Sequence, residues 1–202
     1  MEVYDIQKIQ LASSWDRSAL ESLLQSQGLR LDHDVETAFG VYETSGEEPK
    51  LVGCGCAAGA LLKCFALLPQ LRGQNLLGRL VSALTQDRFA AGYYDLMVIT
   101  RAHNETLFVN SGFWTVAKTE QLVLLENQPD GPARFTAPMV LPGDEELHVG
   151  AIVMNCNPFT LGHRYLVEYA AKQCDVLHLF VVEEDRSMFS SRIRLQLVQE
   201  GT

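Results

Sequence analysis

The chain has 202 residues, enough for one large domain or two small ones, with a 47% hydrophobic and 20% charged composition typical of a soluble globular protein. Its formal net charge of −9 argues against a general nucleic-acid binder, whose electrostatic footprint is basic. No apolar run approaches the roughly 20 residues that cross a bilayer, and the N-terminal MEVYDIQKIQ lacks the basic flank and apolar centre of a signal peptide, so a cytoplasmic location without membrane partners is expected.

The first segment reads as an α+β domain. SSWDRSALESLLQSQGL carries a helix, with Ser13 or Ser14 as cap and Gly28 as a stop signal. TAFGVYET and LVGCGCAAG are strand-like and separated by the polar turn SGEEPK; LLKCFALLP is a further strand, broken at Pro69. A helix follows, in which Leu76, Leu77, Leu80, Val81 and Leu84 recur at helical spacing until Gly92. YYDLMVIT reads as a buried strand, NETLFVNSG as a short helix, and FWTVAK and QLVLLEN as paired strands. From residue 127 to 146 prolines, glycines and charges replace the periodic pattern, which reads as a linker. HVGAIVMN and DVLHLFVV are then two apolar strands flanking one helix, a βαβ unit whose strands are expected to be parallel and covered on both faces. Such a unit, with only the helix SSRIRLQLVQE added, is an open sheet, so the natural domain is expected to continue past Thr202. The five cysteines, Cys54, Cys56, Cys64, Cys156 and Cys174, form no CxxC pair; reduced thiols are expected, and no metal site.

Two strand–turn–helix junctions carry chemistry. At PQLRGQNLLGRL, backbone N–H groups of a helix N-terminus can receive a pyrophosphate. Gln70, Arg72 and Gly73 resemble the Q/R-x-x-G-x-G/A turn of the GNAT acetyltransferase superfamily, which cradles the pyrophosphate of acetyl-CoA, and NSGFWTVAK is similar to its closing segment. This sequence departs from that pattern in three places. Asn75 stands at the third position of the turn, and Phe108, four residues before Gly112, replaces a frequent tyrosine acid. LLKCFALLP offers no carboxylate as a base.

At NPFTLGH, Thr160 and His163 sit on the turn and first residues of a helix, where orphan N–H groups point at anions. Pro158 stiffens the turn, and Gly162 keeps the backbone clear for a close-lying phosphate. The pattern resembles the T/H-x-G-H motif of the nucleotidylyltransferase superfamily. Beyond the second strand, FVVEEDRSMF places Arg186 at the same sheet edge as a candidate phosphate contact.

The whole arrangement resembles the citrate lyase ligase family, most closely from Gly150 onward, with LFVNSGFWTVAK and LVLLENQP also similar to its first domain. The resemblance implies a GNAT-like domain over residues 1–126, a linker over 127–146, and over 147–202 the first part of a Rossmann-like nucleotidylyltransferase domain with parallel α/β architecture. It also implies ATP and Mg²⁺, with acetate transferred to the prosthetic-group thiol of the citrate lyase acyl carrier protein. A later motif similar to I-S-T-x-x-R is implied and absent from this sequence, so these residues alone are expected to be incomplete as a catalyst. Catalytic roles fall on His163 and Thr160, nucleotide contacts on Asn155, Asn157, Pro158, Phe159, Gly162 and Arg186, and contacts to a CoA-like arm on Gln70, Arg72, Gly73 and Asn75. The alternatives are a CoA-dependent N-acetyltransferase, a small-molecule nucleotidylyltransferase, and a non-catalytic docking module.

Overall fold

The hydroxyl of Ser13 accepts a hydrogen bond from the Asp16 N–H at 3.3 Å and starts α1 (Ser14–Ser26), which buries Leu20, Leu23 and Leu24. Gly28, at φ +70°, takes the chain out of it. The computed structural model describes residues 3–71, 73–139, 146–183 and 188–202, and the chain divides into two compact units, 1–133 and 134–202.

Unit 1 is built on a seven-stranded sheet: β1 (Tyr4–Lys8), β2 (Thr37–Glu43), β3 (Lys50–Ala58), β4 (Leu61–Leu67), β5 (Met97–Arg101), β6 (Trp114–Lys118) and β7 (Leu122–Glu126), in the order β1-β2-β3-β4-β5-β7-β6. Helix α1 packs on Ala38, Cys54, Cys56 and Ala66. α2 (Leu76–Ala90) and α3 (Glu105–Val109) pack against Ala57, Leu62, Val98, Val123 and Leu125 through Val81, Leu84 and Phe108. β1 alternates Tyr4 and Ile6, which pack against the core, with exposed Asp5 and Gln7, and its backbone pairs with β2 from Tyr4 to Lys8 at the edge of the sheet. YYDLMVIT is not wholly buried as its composition suggests: Val98 is buried and Ile99 is 53% exposed, because the helices cover only one side of β5. β4 and β5 are parallel and pair only at Leu61–Met97 and Leu62–Val98, so the strands part toward their carboxyl ends.

β4 carries an extra residue between its pairings with β3 (Cys54↔Ala66, Cys56↔Lys63), and Cys64 takes a left-handed backbone at φ 54° there. A hydrogen bond from the Cys56 thiol holds Cys64 down to about 7, against the opposing effect of burial. That same bond pushes Cys56 up, and burial pushes Cys54 up to about 12. The thiolate is the nucleophile, so iodoacetamide is expected to label Cys64 well before Cys54 and Cys56, at a rate rising with pH through a midpoint of about 7. Peptide mapping of the alkylated native protein checks this; equal labelling of the three would refute it.

Of the stretch read as a linker, residues 131–136 form the short helix α4 (Gly131–Thr136) and 137–139 a 3-10 turn. The division between the units falls between Ala133 and Arg134.

Unit 2 contains β8 (Val149–Met154), α5 (Leu161–Ala171), β9 (Val176–Val181) and α6 (Ser191–Gly201). The strands are parallel and in register from Val149↔Val176 to Met154↔Val181. Both helices reach one cluster, Met154, Cys156, Val167 and Val198, with Ile152, Leu177, Leu179 and Val181 against it. Covering on both faces is not what these residues build. Val149 and Val153 are 42% and 70% exposed, because α5 and α6 share a single cluster. Among the described residues no helix is long and apolar enough to cross a membrane.

Candidate functional site

Directly after β8 the chain turns through Asn155–Thr160. Cys156 is fully buried with φ 51°, and the Asn157–Pro158 peptide bond is cis. The two asparagines expected at the nucleotide both turn an oxygen toward the protein. The Asn155 carbonyl accepts from Arg194 Nη1 at 2.6 Å and its Oδ1 accepts from the same group, while Asn157 Oδ1 accepts from the Phe189 N–H at 3.2 Å. Pro158 is exposed, and Phe159 is half-buried with its ring stacked on His163, centroids 5.8 Å apart and planes 25° from parallel.

Thr160, extended at φ −125°, is the N-cap of α5, and the cap is reciprocal. The Thr160 side chain faces the backbone N–H of His163, and the His163 ring reaches back to the Thr160 backbone. His163 Nδ1 accepts from the Thr160 N–H at 3.1 Å and lies 2.7 Å from Thr160 Oγ1. With Nδ1 engaged as an acceptor, the hydrogen-bond network assigns the neutral ring its proton on Nε2. The result is an N–H donor held at a helix N-terminus whose first-turn N–H groups lack intrahelical partners. A Cβ at Gly162 would meet only Thr160 Oγ1, at 3.7 Å, so packing within the protein does not require glycine there. Donors, dipole and clear space together can receive an anion. Arg186, expected to join them, lies outside the described residues.

At the other junction, Pro69–Leu71 forms a 3-10 turn that buries Leu71 and leaves Gln70 exposed. Arg72 lies outside the described residues. Gly73 has φ +86°, a conformation that favours glycine. Asn75, at the N-cap of α2, is itself left-handed at φ 57° and makes no side-chain cap bond; its Oδ1 lies over Gly78, where a Cβ would come within 2.6 Å. Phe108 belongs to the core, packed edge-on against Phe65 at 5.1 Å. The carboxylates missing from β4 come from another loop: Asp32 and Asp34 reach Lys63 at 3.0 and 2.7 Å, and the Lys63 hydrogen bond holds Asp34 below its ordinary value. No sequence pattern marks that meeting, and none marks Arg194 as a residue of the second junction. Among the described residues no group of three or more His, Cys, Asp or Glu side chains is placed to hold a metal ion.

Residues 149–202 match the family described as the citrate lyase ligase C-terminal domain. Over 186 residues the chain is 41% identical to a Klebsiella pneumoniae citrate (pro-3S)-lyase ligase, covering 92% of this chain and 53% of the relative. With the Escherichia coli ligase of the same name the identity is 39% over 175 residues, covering 85% and 49%. The chain thus spans about half the length of the curated relatives it matches. Among solved structures, a Lactobacillus plantarum chain described as an N-acetyltransferase aligns with a TM-score of 0.50 at 15% identity, covering 63% of this chain and 99% of that one. At that identity the likeness shows the fold alone: an acetyltransferase-like sheet with its helices.

Proposed function

Over the span it shares with these relatives the chain belongs to the citrate lyase ligase family, and from that premise we propose that it is part of an ATP-dependent acid–thiol ligase. The substrate pair is acetate and the prosthetic-group thiol of the citrate lyase acyl carrier protein, a phosphoribosyl-dephospho-CoA arm. The observation that carries this reading is the Nε2–H of His163, held by Thr160 at the open N-terminus of α5.

Acetate is ionised at neutral pH and needs no general base. One carboxylate oxygen attacks the α-phosphorus of ATP, the bond to the β-phosphate oxygen breaks, and pyrophosphate leaves. The carrier thiolate then attacks the acetyl carbonyl, AMP departs, and a thioester remains. Such phosphoryl chemistry depends on positioning and on neutralising charge. His163 supplies a donor to an α-phosphate oxygen and Thr160 fixes the ring that supplies it. The clear space at Gly162 suits close approach of the phosphate to the α5 N–H groups. Mg²⁺ would be held chiefly by the phosphates of ATP and would offset their charge. Among the described residues no set of three or more His, Cys, Asp or Glu side chains fits a resident metal.

Acetate-dependent exchange of labelled pyrophosphate into ATP, measured on the full natural chain, tests the reading. Exchange that requires acetate supports it; exchange indifferent to acetate, with a dinucleotide as product, would replace it by nucleotidyl transfer. Unit 1 then acts on the carrier. The turn Gln70–Asn75, with Arg72 and Gly73, holds the pyrophosphate of the CoA-like arm beside the parting of β4 and β5. Dephospho-CoA is accordingly expected to slow amide hydrogen exchange across residues 70–78, and an unchanged exchange pattern there would remove this role. The parting of β4 and β5 also favours a second reading, CoA-dependent N-acetyl transfer. Acetyl-CoA consumption without ATP would identify it.

A further inference from the structure

Arg194 is fully buried, and no sequence signal distinguishes it from the exposed Arg192 two residues earlier. A buried guanidinium is tolerated only where its donors are used. Its Nε donates to the Phe189 carbonyl at 3.1 Å and its Nη1 to the carbonyl and side-chain oxygens of Asn155. One planar group therefore ties the residue that leaves β8 to the segment that enters α6. Asn157 adds a parallel tie by accepting from the Phe189 N–H.

The same face of α6 reaches the far end of the motif. Arg194, Val198 and Gly201 are spaced i, i+4, i+7 and fall on one side of the helix. Val198 is buried in the unit 2 core. At Gly201 a Cβ would come within 2.6 Å of the Phe159 ring, so glycine leaves the notch in which that ring sits, and the ring in turn stacks on His163. α6 thus holds the turn at Asn155 and again at Phe159, five residues before the cap and one.

We propose that Arg194 is a positioning residue for the anion-binding turn: through Asn155 it fixes the path of residues 155–160 and so the placement of the Thr160–His163 pair. It rests on the reading of that pair given above. Lysine cannot substitute, because a single ammonium on a flexible stem does not span two carbonyls of separate segments as the guanidinium fork does.

The test uses the full natural chain carrying Arg194→Lys, Asn155→Ala, or both. Amide hydrogen exchange is expected to rise at least about ten-fold in residues 155–160 of Arg194→Lys, with the strands of unit 1 unchanged. Pyrophosphate exchange is expected to fall about 10- to 100-fold, in kcat more than in KM for ATP, as a small misplacement of reacting groups produces. Asn155→Ala removes the side-chain part of the same link and leaves its backbone-carbonyl part, so it should move both readouts in the same direction by less, and the double variant should be no worse than Arg194→Lys. Native-like amide exchange at 155–160 together with native turnover in Arg194→Lys would overturn the proposal. Should that variant unfold unit 2, Asn155→Ala decides at an exposed residue: unchanged amide exchange at 157–160 overturns it. A wild-type chain without pyrophosphate exchange defeats the ligase reading, and the amide exchange arm still reports on the positioning.

Discussion

His163→Ala is expected to lower acetate-dependent pyrophosphate exchange by about 10²–10³-fold, the loss that follows removal of one preorganised donor to developing phosphate charge. Its Nε2–H is fixed by two contacts at Nδ1, from the Thr160 N–H at 3.1 Å and from Thr160 Oγ1 at 2.7 Å, so the donor needs no reorientation in the transition state. The change leaves the rest of the cap in place. The fold should therefore lose only about 1 kcal/mol, as for other helix-cap losses. Single-turnover and exchange assays on the folded variant, with its unfolding midpoint as a control, check both halves of the expectation. Near-normal exchange in a folded His163→Ala chain would mean that the α-phosphate is held elsewhere. Thr160→Ala should show a smaller loss in the same assay, because it releases the ring without removing the donor.

Phe108→Ala is expected to destabilise unit 1 by about 3–5 kcal/mol, the range for a buried aromatic cut to a methyl group. Phe108 is 1% exposed and makes edge contacts with Phe65 at 5.1 Å and Phe113 at 6.4 Å, joining β4, α3 and the turn before β6 in one core. Against a typical domain stability of about 5–15 kcal/mol, the loss should shift the denaturant midpoint far enough to resolve in a urea titration followed by tryptophan fluorescence, to which Trp114 of β6 contributes. A shift below about 1 kcal/mol would mean that the cavity collapses or that this core is looser than its packing indicates. The position also has a chemical meaning. In the acetyltransferase pattern that the sequence resembles a tyrosine is frequent there; in this chain the ring at that position serves packing against Phe65 and Phe113.

Local signals made much of this protein legible. Ser13 and Gly28 bound α1, the leucines from 76 to 84 place α2, and the two apolar runs around LGHRYLVEYAA announce β8, α5 and β9 as a parallel unit. Helix caps and periodicity are determined within a few residues of chain, so they are readable before any tertiary contact exists. The Thr160–His163 pair was readable for the same reason, since three residues of helix N-terminus define its geometry. Other features had no such local cause. Ile99 is exposed because helices cover only one side of its strand. The carboxylates beside Lys63 arrive from a loop some thirty residues away. The buried arginines state the rule most clearly. Arg88 is enclosed with Asp87 and with Glu36, 52 residues earlier, and Arg194 with Asn155, 39 residues earlier. A charge is stable in the interior only when its partners are supplied, and for both arginines part of that supply comes from a distant segment. Sequence periodicity records which face a side chain takes, whereas the partner that makes its burial tolerable exists only once the chain has folded.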